Sequence, residues 1–340
     1  MTWPGAAGRR CLAVAVLLGL VIGACADDGV DGDADPNGST GPATTTVPPE
    51  VSDRFVETGA VAIDEPAAMA VGPDGTLFVG ERRSGRIWSV AADQLGLERP
   101  TRVSVARLEV ATEGQQGLLG LAVAGDGTVY AGMTRPGPGE PRQVVVRVVP
   151  DGSPETVWDG PIAATDAIGG RLAWLPDGRL LLGLGDFLRG AADSFDADEP
   201  FSKLLSLDPA GPSDQEPVVV SDGWNNPFAI TVGPDGAVWV ADNAPGDTPE
   251  RLGRGDGGGA SIDLDPPERA PSGLAVLGDD ELVLCGYLSG VAELVVLTSG
   301  EVTQPSEVLA APCELGVVVL DGGRLAVAVQ DEVRLLAPSG

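Results

Sequence analysis

Glu81, Asp186 and Asp242 stand at or just past the ends of apolar runs, at equivalent places in a phrase that recurs along this 340-residue chain. Three carboxylates placed this way, with Asn226 nearby, form an oxygen-donor set that suits calcium. The alternative is three solvated or arginine-paired carboxylates on a very acidic surface. The same loops carry the candidates for a ligand-binding face: Gln115, Gln116, Asp166, Asp186, Arg189, Trp224, Asn225 and Asn226. Arg82, Arg83, Asp247 and Glu250 fall in these loops too, whereas the last two repeats offer little more than Tyr287, Glu314 and Gln330. The chain contains no histidine. Ser-His-Asp and Cys-His nucleophile pairs are therefore excluded, as are His-ligated zinc, copper and haem.

The elements that position these loops are written as six copies of one phrase. The copies are AMAVGPDGTLFVG (Ala68–Gly80), GLAVAGDGTVYAG (Gly120–Gly132), RLAWLPDGRLLLG (Arg171–Gly183), AITVGPDGAVWVA (Ala229–Ala241), GLAVLGDDELVLC (Gly273–Cys285) and GVVVLDGGRLAVA (Gly316–Ala328). Each is an apolar run, a tight Gly/Asp turn and a second apolar run, which is a hairpin signature. The runs are rich in Val, Leu and Ile and too short for helices. Their turn aspartates, from Asp74 to Asp321, recur every 42 to 58 residues, the span of one four-stranded propeller blade. The predicted fold is all-β: a six-bladed β-propeller with four-stranded blades, with an open β-sandwich array as the alternative. The first strand, around Phe55–Ile63, is placed to pair with the last, around Val333–Leu336, and lock the ring. Loops before each first strand and after each second strand then share one mouth of the central channel, where binding groups are expected. Trp88, Trp158, Trp174 and Trp239 read as packing between blades, and Trp224 as entering the central face.

Residues 1–24 read as a secretory signal peptide: Arg9 and Arg10, an apolar stretch from Cys11 to Ile22, then small residues. Cys25 follows Ile22-Gly23-Ala24 as in a bacterial lipobox, which predicts its lipidation and an extracytoplasmic protein anchored to the membrane by that lipid. An ordinary signal peptide with an incidental Cys is the alternative. Residues 25–52, with five aspartates, a Thr run and four prolines, have almost nothing to bury and read as a disordered tether. Residues 53–340 form the propeller. The net charge of −29 excludes nucleic acid as a partner. An exported chain left with Cys285 and Cys313 favours a disulfide between them, against a pair of buried thiols.

Five phrases, in order over about residues 65–250, carry a family resemblance: Gly80–Val90, Gly114–Val123, Gly169–Asp186, Lys203–Pro209 and Asn225–Pro245. On these the chain resembles the glucose/sorbosone dehydrogenases, six-bladed propellers that oxidise sugars with pyrroloquinoline quinone (PQQ) and calcium. The resemblance implies those cofactors and an aldose substrate, and matches Gln115, Asp186 and Asn226 to family positions. Ala167 stands where the family carries its catalytic His, just before the Gly-Gly-Arg-Leu phrase. A general base must lie within hydrogen-bond reach of the proton it removes, and alanine has none to offer. Asn225 replaces an Arg of the quinone-binding phrase, and the family's acidic pair is reduced to Pro249-Glu250. The reading this favours is a module that binds a carbohydrate, another cell-surface ligand or a partner and has lost oxidation. A divergent dehydrogenase using a carboxylate such as Asp166 or Asp186 is the alternative, with a calcium-dependent lactonase-like hydrolase third.

Overall fold

The computed structural model describes residues 50–150, 152–189, 199–245 and 248–340. The leader, Cys25 and Asp247 lie outside the described residues. Six sheets, each built on four antiparallel strands, follow one another along the chain. Blade 1 is Ala68–Val71, Leu77–Gly80, Arg86–Val90 and Val103–Arg107, and blade 2 is Leu118–Val123, Val129–Arg135, Arg142–Arg147 and Glu155–Ile162. Blade 3 is Gly169–Trp174, Leu180–Leu184, Lys203–Leu207 and Val218–Asp222, and blade 4 is Ala229–Val232, Val238–Asp242, Arg251–Arg254 and Ile262–Asp263. Blade 5 is Pro271–Val276, Glu281–Gly286, Val291–Thr298 and Glu307–Pro312. Blade 6 takes Gly316–Val319, Leu325–Ala328 and Glu332–Pro338 from the C-terminal end of the chain, and Phe55–Ala62 as its outer strand.

The hairpin turns explain the repeated phrase. Asp74 Oδ1 accepts the N–H of Thr76 at 3.1 Å, and Asp126, Asp177 and Asp235 each do the same two residues on, at 2.9, 3.1 and 2.9 Å. The glycine after each aspartate has φ between 78° and 86°, a conformation that glycine adopts without steric cost. The chain can then reverse tightly enough to pair the flanking runs.

Those runs alternate poorly because both faces of a blade are covered. Six apolar clusters fill the six seams between neighbouring blades. Leu119, Val145 and Trp158 of blade 2, for example, meet Leu180, Leu182 and Leu205 of blade 3. The first strands contact one another in ring order, blade 6 against blade 1 included. At this inner radius there is little space: a Cβ on Gly120 or Gly132 would collide with the carbonyl oxygen of Gly170.

Closure follows the expected pairing of the first strand with the last, with Val61 opposite Val333 and Glu57 opposite Leu336. One boundary differs from expectation. Glu50–Ser52, inside the segment read as tether, lies parallel to Glu307–Pro312 and extends blade 5 by a strand. The reason is the unpaired edge that an outermost strand presents. Cys285, in the second strand of blade 5, and Cys313, in the link to blade 6, form a disulfide with Cα atoms 5.4 Å apart.

Candidate functional site

The loops expected at one mouth of the channel do enclose a cavity of about 380 Å³. All six blades contribute to its lining. Glu65, Arg82 and Arg83 come from blade 1, Gln115 from blade 2 and Gly169 from blade 3. Phe228 and Asn243 belong to blade 4, Ser272 and Tyr287 to blade 5, and Glu314 and Gln330 to blade 6. Beneath it the first strands surround a second cavity of about 570 Å³.

Arg171 separates the two. Its guanidinium donates to the carbonyl oxygens of Phe228 (3.1 Å), Ser272 (2.6 Å), Leu315 (2.5 Å) and Ala67. It also lies 4.2 Å from the centre of the Phe228 ring. One blade-3 side chain thus binds the entrances of blades 4, 5, 6 and 1 at the axis. Burial lowers its pKa to about 9, yet four carbonyl acceptors hold the cation at neutral pH.

On the blade-2 side the cavity wall is a hydrogen-bonded loop. Gln115 Oε1 accepts the N–H of Ala167 at 2.9 Å, and the Gln115 N–H donates to Thr165 O at 2.7 Å. Ala167 itself is buried and held at φ 50°, a left-handed conformation that costs an L-residue energy. Gln116 is buried and donates to Ala164 O at 2.9 Å, so it braces the loop and does not line the cavity. Asp166 accepts the Thr165 hydroxyl at 2.8 Å and is also absent from the lining.

The remaining candidates cluster between blades 3 and 4. Asp242 is fully buried and saturated: it accepts the N–H groups of Asn225 and Asn226, the Asn225 side-chain amide at 3.0 Å and Arg251 at 2.8 Å. The Asp186 N–H donates to Asn225 O at 2.7 Å, and its Oδ1 accepts Leu188 N–H at 2.9 Å. Burial, with a smaller push from Asp242, holds the Asp186 carboxyl above its ordinary pKa. Asn226 is buried, and its side-chain oxygen has no hydrogen-bond partner. Arg189 is exposed, with its guanidinium 4.2 Å from the Phe201 ring centre.

Two expectations need correction. Trp224 does not enter the cavity. It is buried among Leu181, Leu204, Ile230 and Val240 and donates to the Ser221 hydroxyl at 2.9 Å, because the seam between blades 3 and 4 needs an aromatic filler more than the channel does. Nor do Glu81, Asp186 and Asp242 converge on a metal position. Among the described residues, no three His, Cys, Asp or Glu side chains are placed to hold an ion. Each carboxylate is instead consumed by its own blade: Glu81 accepts the Trp88 indole at 2.7 Å and the Ser84 hydroxyl. Glu250, from the same acidic region, accepts the N–H groups of Arg269 and Ala270 at 2.8 and 2.7 Å, and burial raises its pKa.

Sequence reading missed Glu65, Phe228, Asn243 and Ser272 as lining residues. Glu65 and Ser272 were accessible by applying the loop rule to residues just before, and at the start of, a first strand. Phe228 was not, because an aromatic between Pro227 and a strand reads as core.

A six-bladed ring whose loops build one cavity on its axis defines an axial-site propeller. Within that class, this chain belongs to the glucose/sorbosone dehydrogenase family, whose sequence model matches residues 63–250. No curated protein sequence matches it. Among solved structures it is similar to the PQQ-bound form of aldose sugar dehydrogenase from Streptomyces coelicolor, with 21% identity, a TM-score of 0.69 and coverage of 86% of this chain and 100% of that one. A Thermus thermophilus protein described as an oxidoreductase (glucose dehydrogenase) has 24% identity, a TM-score of 0.65 and coverage of 83% and 98%. The apo soluble aldose sugar dehydrogenase of Escherichia coli has 18% identity, a TM-score of 0.66 and coverage of 84% and 99%.

Proposed function

We propose that this chain is an exported, lipid-anchored propeller that binds a small ligand in its axial cavity and no longer oxidises it. The observation that carries this reading is Ala167. The residue stands at the family's base position, its N–H is occupied by Gln115, and the chain holds no His to replace it. The cavity meanwhile persists, with contributions from all six blades.

The residues present do not fit the family's cofactor. PQQ is a tricarboxylate and needs cations around it. Arg82 is spent on Gly114 O at 2.8 Å, Gln116 O at 3.1 Å and Glu65 at 3.2 Å. Arg83 also pairs with Glu65, at 3.0 Å. Glu314 adds a further carboxylate, and Asn225, in place of the family's Arg, is bonded to Asp242. No step of sugar oxidation is therefore assigned to this chain.

Purified full-length protein in detergent, titrated with PQQ and calcium, is expected to show no thermal stabilisation and no dye reduction with aldoses. Stabilisation with turnover would overturn the reading and make Asp166 and Asp186 the next residues to substitute. Anchoring has its own test: Cys25→Ser should move the protein from the membrane fraction to the soluble one. A variant that stays in the membrane fraction would remove the lipid anchor from the proposal.

A further inference from the structure

We infer that the axial cavity selects a small organic cation, a protonated amine on a hydroxylated frame, with Glu314 as its counter-ion; this rests on the binding reading above. The cations of the blade-1 wall are already engaged. Its two guanidiniums share Glu65, and Arg82 is further tied to two backbone carbonyls. What remains of Arg83 is largely exposed, where solvent screens it. The opposite wall is unpaired. Glu314 faces the cavity with no arginine or lysine within 4.0 Å among the described residues. Beside it Tyr287, half-exposed at the rim, offers an aromatic face of the kind that attracts ammonium groups.

A second, independent feature marks the cavity as a place for a polar ligand. Ser272 lines it, is 4% exposed, and its hydroxyl has no hydrogen-bond partner. A buried hydroxyl left alone costs free energy, and a ligand hydroxyl would satisfy it. The net charge of −29 acts in the same direction, since an acidic protein draws cations toward its clefts and repels anions.

Calorimetry on the full-length protein in detergent, with D-glucosamine, D-glucose and D-gluconate as probes at about pH 6, where the amine is protonated, tests this. Glucosamine is expected to bind at least about ten-fold more tightly than glucose, a difference of about 1.4 kcal/mol, and gluconate not at all. Glu314→Gln should abolish the preference for glucosamine over glucose. Tyr287→Ala, at an exposed rim position, should narrow that preference several-fold. Equal binding of glucosamine and glucose, or a Glu314→Gln variant that keeps the preference, would overturn the charge inference and leave the binding reading standing. Heat from none of the three would reject the cavity as a site for this class of ligand altogether.

Discussion

Ala167 is held in place by its neighbours' backbone and side chains. Its backbone keeps the left-handed conformation, clamped by Gln115 on its N–H and by Phe187 N–H on its carbonyl at 3.2 Å. Its methyl group is buried, and at this φ it carries a steric cost. Ala167→Gly is therefore expected to raise stability by up to about 1 kcal/mol, the relief at positive φ less the extra chain entropy of glycine. A urea midpoint that falls would show that the Cβ packs usefully. Asp186 carries a different cost. Burial raises its folded pKa, so its contribution favours the folded state below the unfolded value, near pH 3.9, and is lost as pH rises through the folded value. Asp186→Asn should be more stable than the parent at neutral pH by about 1 kcal/mol or less, with the gap closing below about pH 4. Melting temperatures from pH 3 to 8 check this, and a constant gap would refute it. The turn aspartates run the other way. Hydrogen bonds from Thr76 and Thr128 depress Asp74 and Asp126, whose contribution fades as pH falls.

The hairpin is the element on which the fold is built, and the seam between hairpins is where its stability lies. The Asp–Gly turn is encoded locally, because the side-chain bond spans two residues and the positive φ belongs to the glycine between them. The seam between blades 5 and 6 has an added cross-link. Cys285 and Cys313, 28 residues apart in sequence, restrict the unfolded chain. Replacing both with Ala, or reducing the protein, should cost about 3.6 kcal/mol on the chain-entropy scale. Denaturant titration with and without reductant measures it. An unchanged midpoint would mean that the apolar seam alone holds these blades.

At the scale of the whole molecule, two devices close the ring. The first is the strand Phe55–Ala62, which completes blade 6 and joins the two ends of the propeller. The second is Arg171, which reaches across the axis to carbonyls before, or at the start of, four other blades. Arg171→Leu would leave those carbonyls without their donor in a narrow channel. A loss of about 3 kcal/mol or more is expected, with the floor of the axial cavity opened. Equal stability in the Leu variant would mean that water replaces the guanidinium at no cost.

The sequence by itself determined the number of blades, the place of each hairpin, the strand that closes the ring and the face on which the loops gather. These follow from local turn chemistry and from apolar runs whose period is short. It also established that no histidine is available at the site, since a residue type absent from the chain cannot be supplied by folding. Tertiary structure alone decided how the polar loop residues were used. Glu81, Asp186 and Asp242 looked equivalent in the repeat, but each meets different donors: the Trp88 indole, the Leu188 amide, and the Asn225–Arg251 set. Trp224 went to a seam and Gln116 to a brace for the same reason. A carboxylate or amide binds whichever partner the folded loop brings within about 3 Å. Each blade's loops differ in length and sequence, so that partner is set by the loop's three-dimensional path, which the repeated phrase does not encode.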